Sequence, residues 1–165
     1  MTAQRARAWG HEMRAVHRRL REALVLAREA IEDEADVDPL EGTPLLYCWG
    51  FCTALSSHHA GEDGALFPRL VERHPDLGPV VRQLRQDHSM IEHLIGGLRR
   101  ALDEGATTAE KLRHLDGVEA VMESHFGFEE RRLLDLLDRI DDVDPGPREL
   151  YGALADPSPA PRPRC

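Results

Sequence analysis

Residues 77–102 read LGPVVRQLRQDHSMIEHLIGGLRRAL. Leu77, Val81, Leu84, His88, Ile91, Ile95, Leu98 and Leu102 recur at alternating steps of four and three. That is the period at which side chains line one face of an α-helix. An apolar stripe of this length is the seam of a helical bundle, and one of its positions is a histidine. Gly105 is placed to end the helix, and Thr107 or Thr108 to cap the next one.

Working outward, three more segments carry the same pattern. In the first, residues 3–34, Met13, Val16, His17, Leu20, Leu24, Ala27 and Ile31 form the stripe. A connection rich in Asp, Gly and Pro follows over residues 35–44 and cannot continue a helix. The second helix is expected to start near Pro44 with Thr43 as its N-cap, and to turn Cys48, Phe51, Cys52, Leu55, His58, Glu62, Ala65 and Leu66 inward. Pro68 predicts a kink or an end, with a short continuation over Arg69–His74. Gly61 and Gly64 suit close helix approach or room beside a cofactor. The last segment turns Leu112, Leu115, Val118, Met122, His125, Phe126, Glu129, Leu133, Leu136 and Ile140 inward. The expected fold is all-α: an antiparallel up-down four-helix bundle over residues 1–143. Residues 144–165 are read as an extension, with a short helical turn near 148–154 and a flexible Pro-rich tail.

Composition narrows the function. A chain of 165 residues is one domain with a sizeable core. Its net charge of −9, with arginines spread along the helices, argues against a nucleic-acid partner. The N-terminal MTAQRARAWGHEMR has no apolar h-region, and no stretch approaches the ~20 apolar residues of a membrane span. With three cysteines, Cys48, Cys52 and Cys165, in no secreted-scaffold spacing, the expected setting is a reducing cytoplasm. A monomer or weak homodimer is expected.

Chemistry enters through the histidines. His17, His58, His88 and His125 each sit on the seam of a different helix, and Glu62 and Glu129 follow His58 and His125 by one turn. Residues four apart on a helix lie about 6 Å apart along its axis on one face, so each pair aims an imidazole and a carboxylate at one point. The motif alone is weak. With 9 histidines and 16 glutamates, roughly one His-x-x-x-Glu is expected by chance and three occur. Height is the stronger signal: measured from the turns, all four histidines fall near mid-bundle, matched to within about one helical turn. Inward glutamates need a compensating cation, because an unpaired buried charge costs several kcal/mol. Imidazole with carboxylate oxygen suits iron, manganese or zinc, and two inward carboxylates among four imidazoles suit two ions better than one. Beside these, His59 can face a neighbouring helix or solvent, and Glu92 can be a ligand or partner of His88 or a solvated carboxylate. His11 competes weakly with His17. His74, His93 and His114 read as loop or surface residues, and Cys48 and Cys52 as small core residues.

The order His, His-x-x-x-Glu, His, His-x-x-x-Glu over residues 11–140 resembles the hemerythrin-like (HHE cation-binding) family. The resemblance implies a four-helix bundle around two iron ions with a bridging oxo or hydroxo group, manganese or zinc being possible replacements. It implies His17 and His58 at one ion, His88 and His125 at the other, and Glu62 and Glu129 between them, with His59 a candidate fifth imidazole. Respiratory hemerythrins carry a second third-helix histidine, where this chain has Glu92, and end His-x-x-x-x-Asp, where it has His125-x-x-x-Glu129. Oxygen transport is therefore not carried over. The expected function is binding or sensing of O2, nitric oxide or peroxide, with Phe51, Leu55, Phe126 and Phe128 as an apolar wall. The alternatives are a di-iron enzyme with catalase-like or O2-activating chemistry, and iron storage.

Overall fold

The computed structural model describes residues 8–33 and 43–139. The four expected helical segments form. Helix α1 spans Ala8–Asp33 and α2 spans Thr43–Gly61. A π-helical segment, Glu62–Leu66, leads from α2 into α3, Phe67–Arg73. A 3-10 turn, Pro75–Leu77, precedes α4, Gly78–Asp103, and α5 covers Thr108–Leu137. The described residues contain no strand. Ile140, the extension over 144–165 and Cys165 lie outside the described residues.

Helix α1 packs on α2 and α5, and α4 packs on α5 and on the α2–α3 rod, which closes the ring of four. Three arginines one heptad apart on α1 report its direction. Arg14 meets Asp138, Arg21 meets Glu123 and Glu130, and Arg28 meets Asp116 and Glu119. As α1 ascends its partners on α5 descend, so the two run antiparallel. Such exposed pairs fix register more than they stabilise.

The α4–α5 connection follows the chemistry expected of it. Gly105 adopts φ +63°, and the amides of Ala106 and Gly105 donate to the carbonyls of Ala101 and Leu102, at 2.9 and 3.3 Å. This is the glycine-terminated ending in which the last carbonyls find donors. Thr107 then caps α5: its hydroxyl accepts from the Glu110 amide, and the Glu110 carboxylate accepts from the Thr107 amide at 3.0 Å.

The core is the set of stripes read from the periodicity. Met13, Val16, Leu20, Phe51, Cys52, Leu55, Leu84, Ile91, Ile95, Leu98, Leu115, Met122, Phe126 and Leu133 are all buried. Leu77, Leu112 and Leu136, expected inward, are only half-buried at the edges. The rod departs most from expectation. Pro68 does not end it: the proline sits in the first turn of α3, and the π segment carries the chain from α2 into α3 without a break. Gly64 marks no close approach of a neighbouring helix: among the described residues a Cβ there would meet nothing within 4 Å.

Candidate metal centre

At mid-height the apolar core is interrupted by seven side chains, all nearly or wholly buried: His17, His58, His59, Glu62, His88, His125 and Glu129. Their donor atoms fall into two groups, His17/His58/Glu62/Glu129 and His59/His88/His125, and within each group they lie within 4.8 Å of one another. Helix α1 gives one member, the α2–π rod three, α4 one and α5 two.

Local geometry explains the grouping. His58 and His59 are neighbours on α2, so about 100° of helix rotation separates them and each faces a different group. The Glu62 carboxylate reaches both: Oε1 is 3.3 Å from His58 Nε2, and Oε2 is 3.4 Å from His88 Nε2. Glu129 does the same from the opposite wall, with Oε2 3.3 Å from His17 Nε2 and 3.8 Å from His125 Nε2. His88 Nε2 and His125 Nε2 are 3.1 Å apart, converging on one point.

Few of these atoms are satisfied within the protein. His17 Nε2, both ring nitrogens of His59, and both carboxylate oxygens of Glu62 and of Glu129 are buried without a hydrogen-bond partner among the described residues. Buried polar groups are nearly always paired, and leaving one unmade costs about 1–3 kcal/mol, more for a charge. Two anions facing five imidazoles are therefore stable only with positive charge among them. In the protein alone, protons must supply it. Burial pushes Glu62 up to about 8, reinforced by the charge of Glu129. Glu129 is held down at about 2, because the His17 imidazole outweighs the opposing effect of burial. His17 and His88 rise to about 9 despite burial, through Glu129 and Glu130 at the first and Asp63 and Glu62 at the second. His58 and His59 are driven well below the usual imidazole range, first by burial and then by neighbouring imidazoles.

An outer ring of carboxylates stands behind the imidazoles. His17 Nδ1 is 2.7 Å from Glu130 Oε1, His88 Nδ1 is 3.1 Å from Asp63 Oδ2, and His125 Nδ1 is 3.6 Å from Asp87 Oδ2. A carboxylate on one ring nitrogen turns the other nitrogen, here Nε2, toward a cation. The sequence reading missed all three residues, although each adjoins a seam residue: Asp63 follows Glu62, Asp87 precedes His88, and Glu130 follows Glu129.

Other expectations change. His59 is 2% exposed, and its ring stacks on His88 with centroids 4.0 Å apart. Glu92 is exposed, and Asp63 meets the outer nitrogen of His88. His11, His93 and His114 face solvent, and His74 is half-buried. Of the expected apolar wall, Phe126 lies at the centre, stacked on His17 at 3.9 Å, while Phe51 and Leu55 are buried core residues of α2. Phe128 is half-buried at the edge of the core, under Arg132, and Phe67, 5.5 Å from His88, lies against the centre instead. Cys48 and Cys52 are buried away from the donor groups. Cys48 Sγ donates to the Ala27 carbonyl, and burial raises the Cys52 thiol to about 11.

No curated protein and no solved structure matches the chain at a significant level. The model of the family described as Hemerythrin HHE cation binding domain matches residues 10–137, a span that holds all seven inner side chains. The chain thus belongs to the hemerythrin HHE cation-binding domain family.

Proposed function

We propose that the chain holds two iron ions between its helices and uses them to bind or sense a small ligand: O2, nitric oxide or peroxide. The carrying observation is the pair of fully buried carboxylates, Glu62 and Glu129, whose four oxygens lack hydrogen-bond partners among the described residues while facing imidazoles of both groups. His17 and His58 would hold one ion, and His59, His88 and His125 the other. Glu62 and Glu129 would serve both. When bound, iron supplies reversible one-electron chemistry and an affinity for diatomic ligands.

The chain's own residues set the conditions for that chemistry. Phe126 sets an apolar ring against His17 and His58, and Phe67 does so against His88, which restricts water and slows proton delivery. Glu130 holds the His17 imidazole with Nε2 inward through a 2.7 Å hydrogen bond, and Asp63 and Asp87 set negative charge 3.1 and 3.6 Å from the outer nitrogens of His88 and His125. His59 supplies an imidazole that the third helix lacks, and a nitrogen-richer ligand set favours ligand binding over oxidation chemistry. Of the described helices none is long and apolar enough to cross a membrane. A reducing cytoplasm suits the buried thiols.

The test is anaerobic loading with ferrous iron, then separate exposure to O2, nitric oxide and hydrogen peroxide. Two irons per chain and a visible absorption band that appears and reverses with gas pressure support ligand binding. Sustained O2 evolution from peroxide, lost in His125→Ala, would make the protein a peroxide-disproportionating enzyme instead. Less than one metal per chain would refute the proposal.

A further inference from the structure

Pro68 lies inside a continuous helical rod, and the hydrogen bond it fails to make can be followed. In the π segment the Phe67 amide donates five residues back, to the Glu62 carbonyl. The next donor in that register is position 68, whose target would be the Asp63 carbonyl. Proline has no N–H. The Asp63 carbonyl instead accepts from Nη2 of Arg85, which reaches across from α4 at 2.9 Å. The same guanidinium places Nε 3.4 Å from Asp63 Oδ1, while Asp63 Oδ2 lies 3.1 Å from His88 Nδ1.

Arg85 thus holds Asp63 by a hydrogen bond at its backbone and by an ion pair at its side chain, and Asp63 in turn faces the outer nitrogen of a buried imidazole. From this geometry we infer that Arg85 is a positioning residue for the His59/His88/His125 metal position, acting through Asp63 on His88. The inference rests on the two-metal reading above. An aspartate with 39% of its side chain exposed would otherwise exchange rotamers. Two-point anchoring by a planar fork removes that freedom, and lysine, a single point charge on a flexible stem, cannot reproduce it. Arg85 is itself 47% exposed, so it adds little to the core, and an exposed ion pair of this kind adds little to stability.

The experiment uses the full chain loaded with zinc, a diamagnetic ion suited to the same donors. Metal content, competition with a chromogenic chelator and the ring-nitrogen NMR signals of the histidines are measured for wild type, Arg85→Gln, Arg85→Lys and Asp63→Asn. Arg85→Gln and Asp63→Asn are expected to weaken one of two zinc ions by about 10–100-fold, leaving the other unchanged. The Nδ1 signal of His88 should move while that of His17 stays. Arg85→Lys should resemble Arg85→Gln, and the metal-free melting temperatures should be nearly equal. Full rescue by lysine, equal loss of both ions with a fall in melting temperature, or unchanged binding and His88 signal in Arg85→Gln would each overturn the assignment. Wild-type protein that takes up no zinc would overturn the two-metal reading, and the assignment with it.

Discussion

Replacing Glu62 by glutamine separates a carboxylate kept for a cation from one kept for stability. Glu62 is wholly buried, and its ordinary value of 4.5 rises to about 8. A carboxyl raised in the folded state costs nothing below the unfolded value, where both states are protonated. The cost grows through the window from 4.5 to about 8 and is constant above it. At about 1.4 kcal/mol per pH unit, the penalty at pH 7 is on the order of 3 kcal/mol. The amide has nearly the same shape and no charge to desolvate. Metal-free Glu62→Gln should therefore be more stable than wild type at pH 7 by up to about that amount. For a domain of this size, that is on the order of 5–10 °C in melting temperature. At pH 4.5 the gain should shrink to near zero. The assay is calorimetry or urea unfolding in chelator at both pH values, repeated with metal, where the order should invert because the variant lacks a charge that neutralises the ions. If metal-free Glu62→Gln were less stable than wild type at pH 7, the charge-balance account of the centre would be wrong.

Two further outcomes follow from the same balance and from the packing. Folded values of about 9 at His17 and His88 exceed the ordinary 6.5, so their stabilising contribution is complete below 6.5 and lost as pH climbs to about 9. The metal-free melting temperature should fall across that window, while the loaded protein, its imidazoles already deprotonated, should not show the fall; a flat metal-free profile would exclude trapped imidazolium. Phe126→Ala removes a fully buried ring stacked on His17 at 3.9 Å. It should cost about 3–5 kcal/mol in urea unfolding of metal-free protein and also weaken zinc binding. Lost stability with unchanged zinc affinity would reduce Phe126 to a core residue.

Helices and seam were legible because they depend on spacing, and spacing survives in a sequence. The level heights of His17, His58, His88 and His125 were legible for the same reason. What was not legible depended on contacts between elements. Pro68 reads as a breaker until Arg85, seventeen positions away on another helix, is seen to take over its missing role. Glu92 stands one turn from His88 in the chain, yet α4 turns it to solvent, and the facing rod presents Asp63 instead. The direction of His59 depends on which two helices flank α2, a property of the assembled ring. Phe128 fits the composition of an apolar wall, but its place beside the inward Phe126 on α5 rotates it to the half-buried edge of the core.

The adjacency of His58 and His59 has a mechanical meaning. Because one helix presents consecutive side chains to both donor groups, α2 behaves like a camshaft. Turning it about its own axis advances one imidazole as it withdraws the other. A donor atom about 5–6 Å from the axis moves ~0.5 Å for each 5° of turn, which is the tolerance within which a binding constellation must be held. Changes in packing along the same rod, at Phe51, Leu55 or the end of α3, would therefore shift the two positions in opposite senses, strengthening one at the expense of its neighbour.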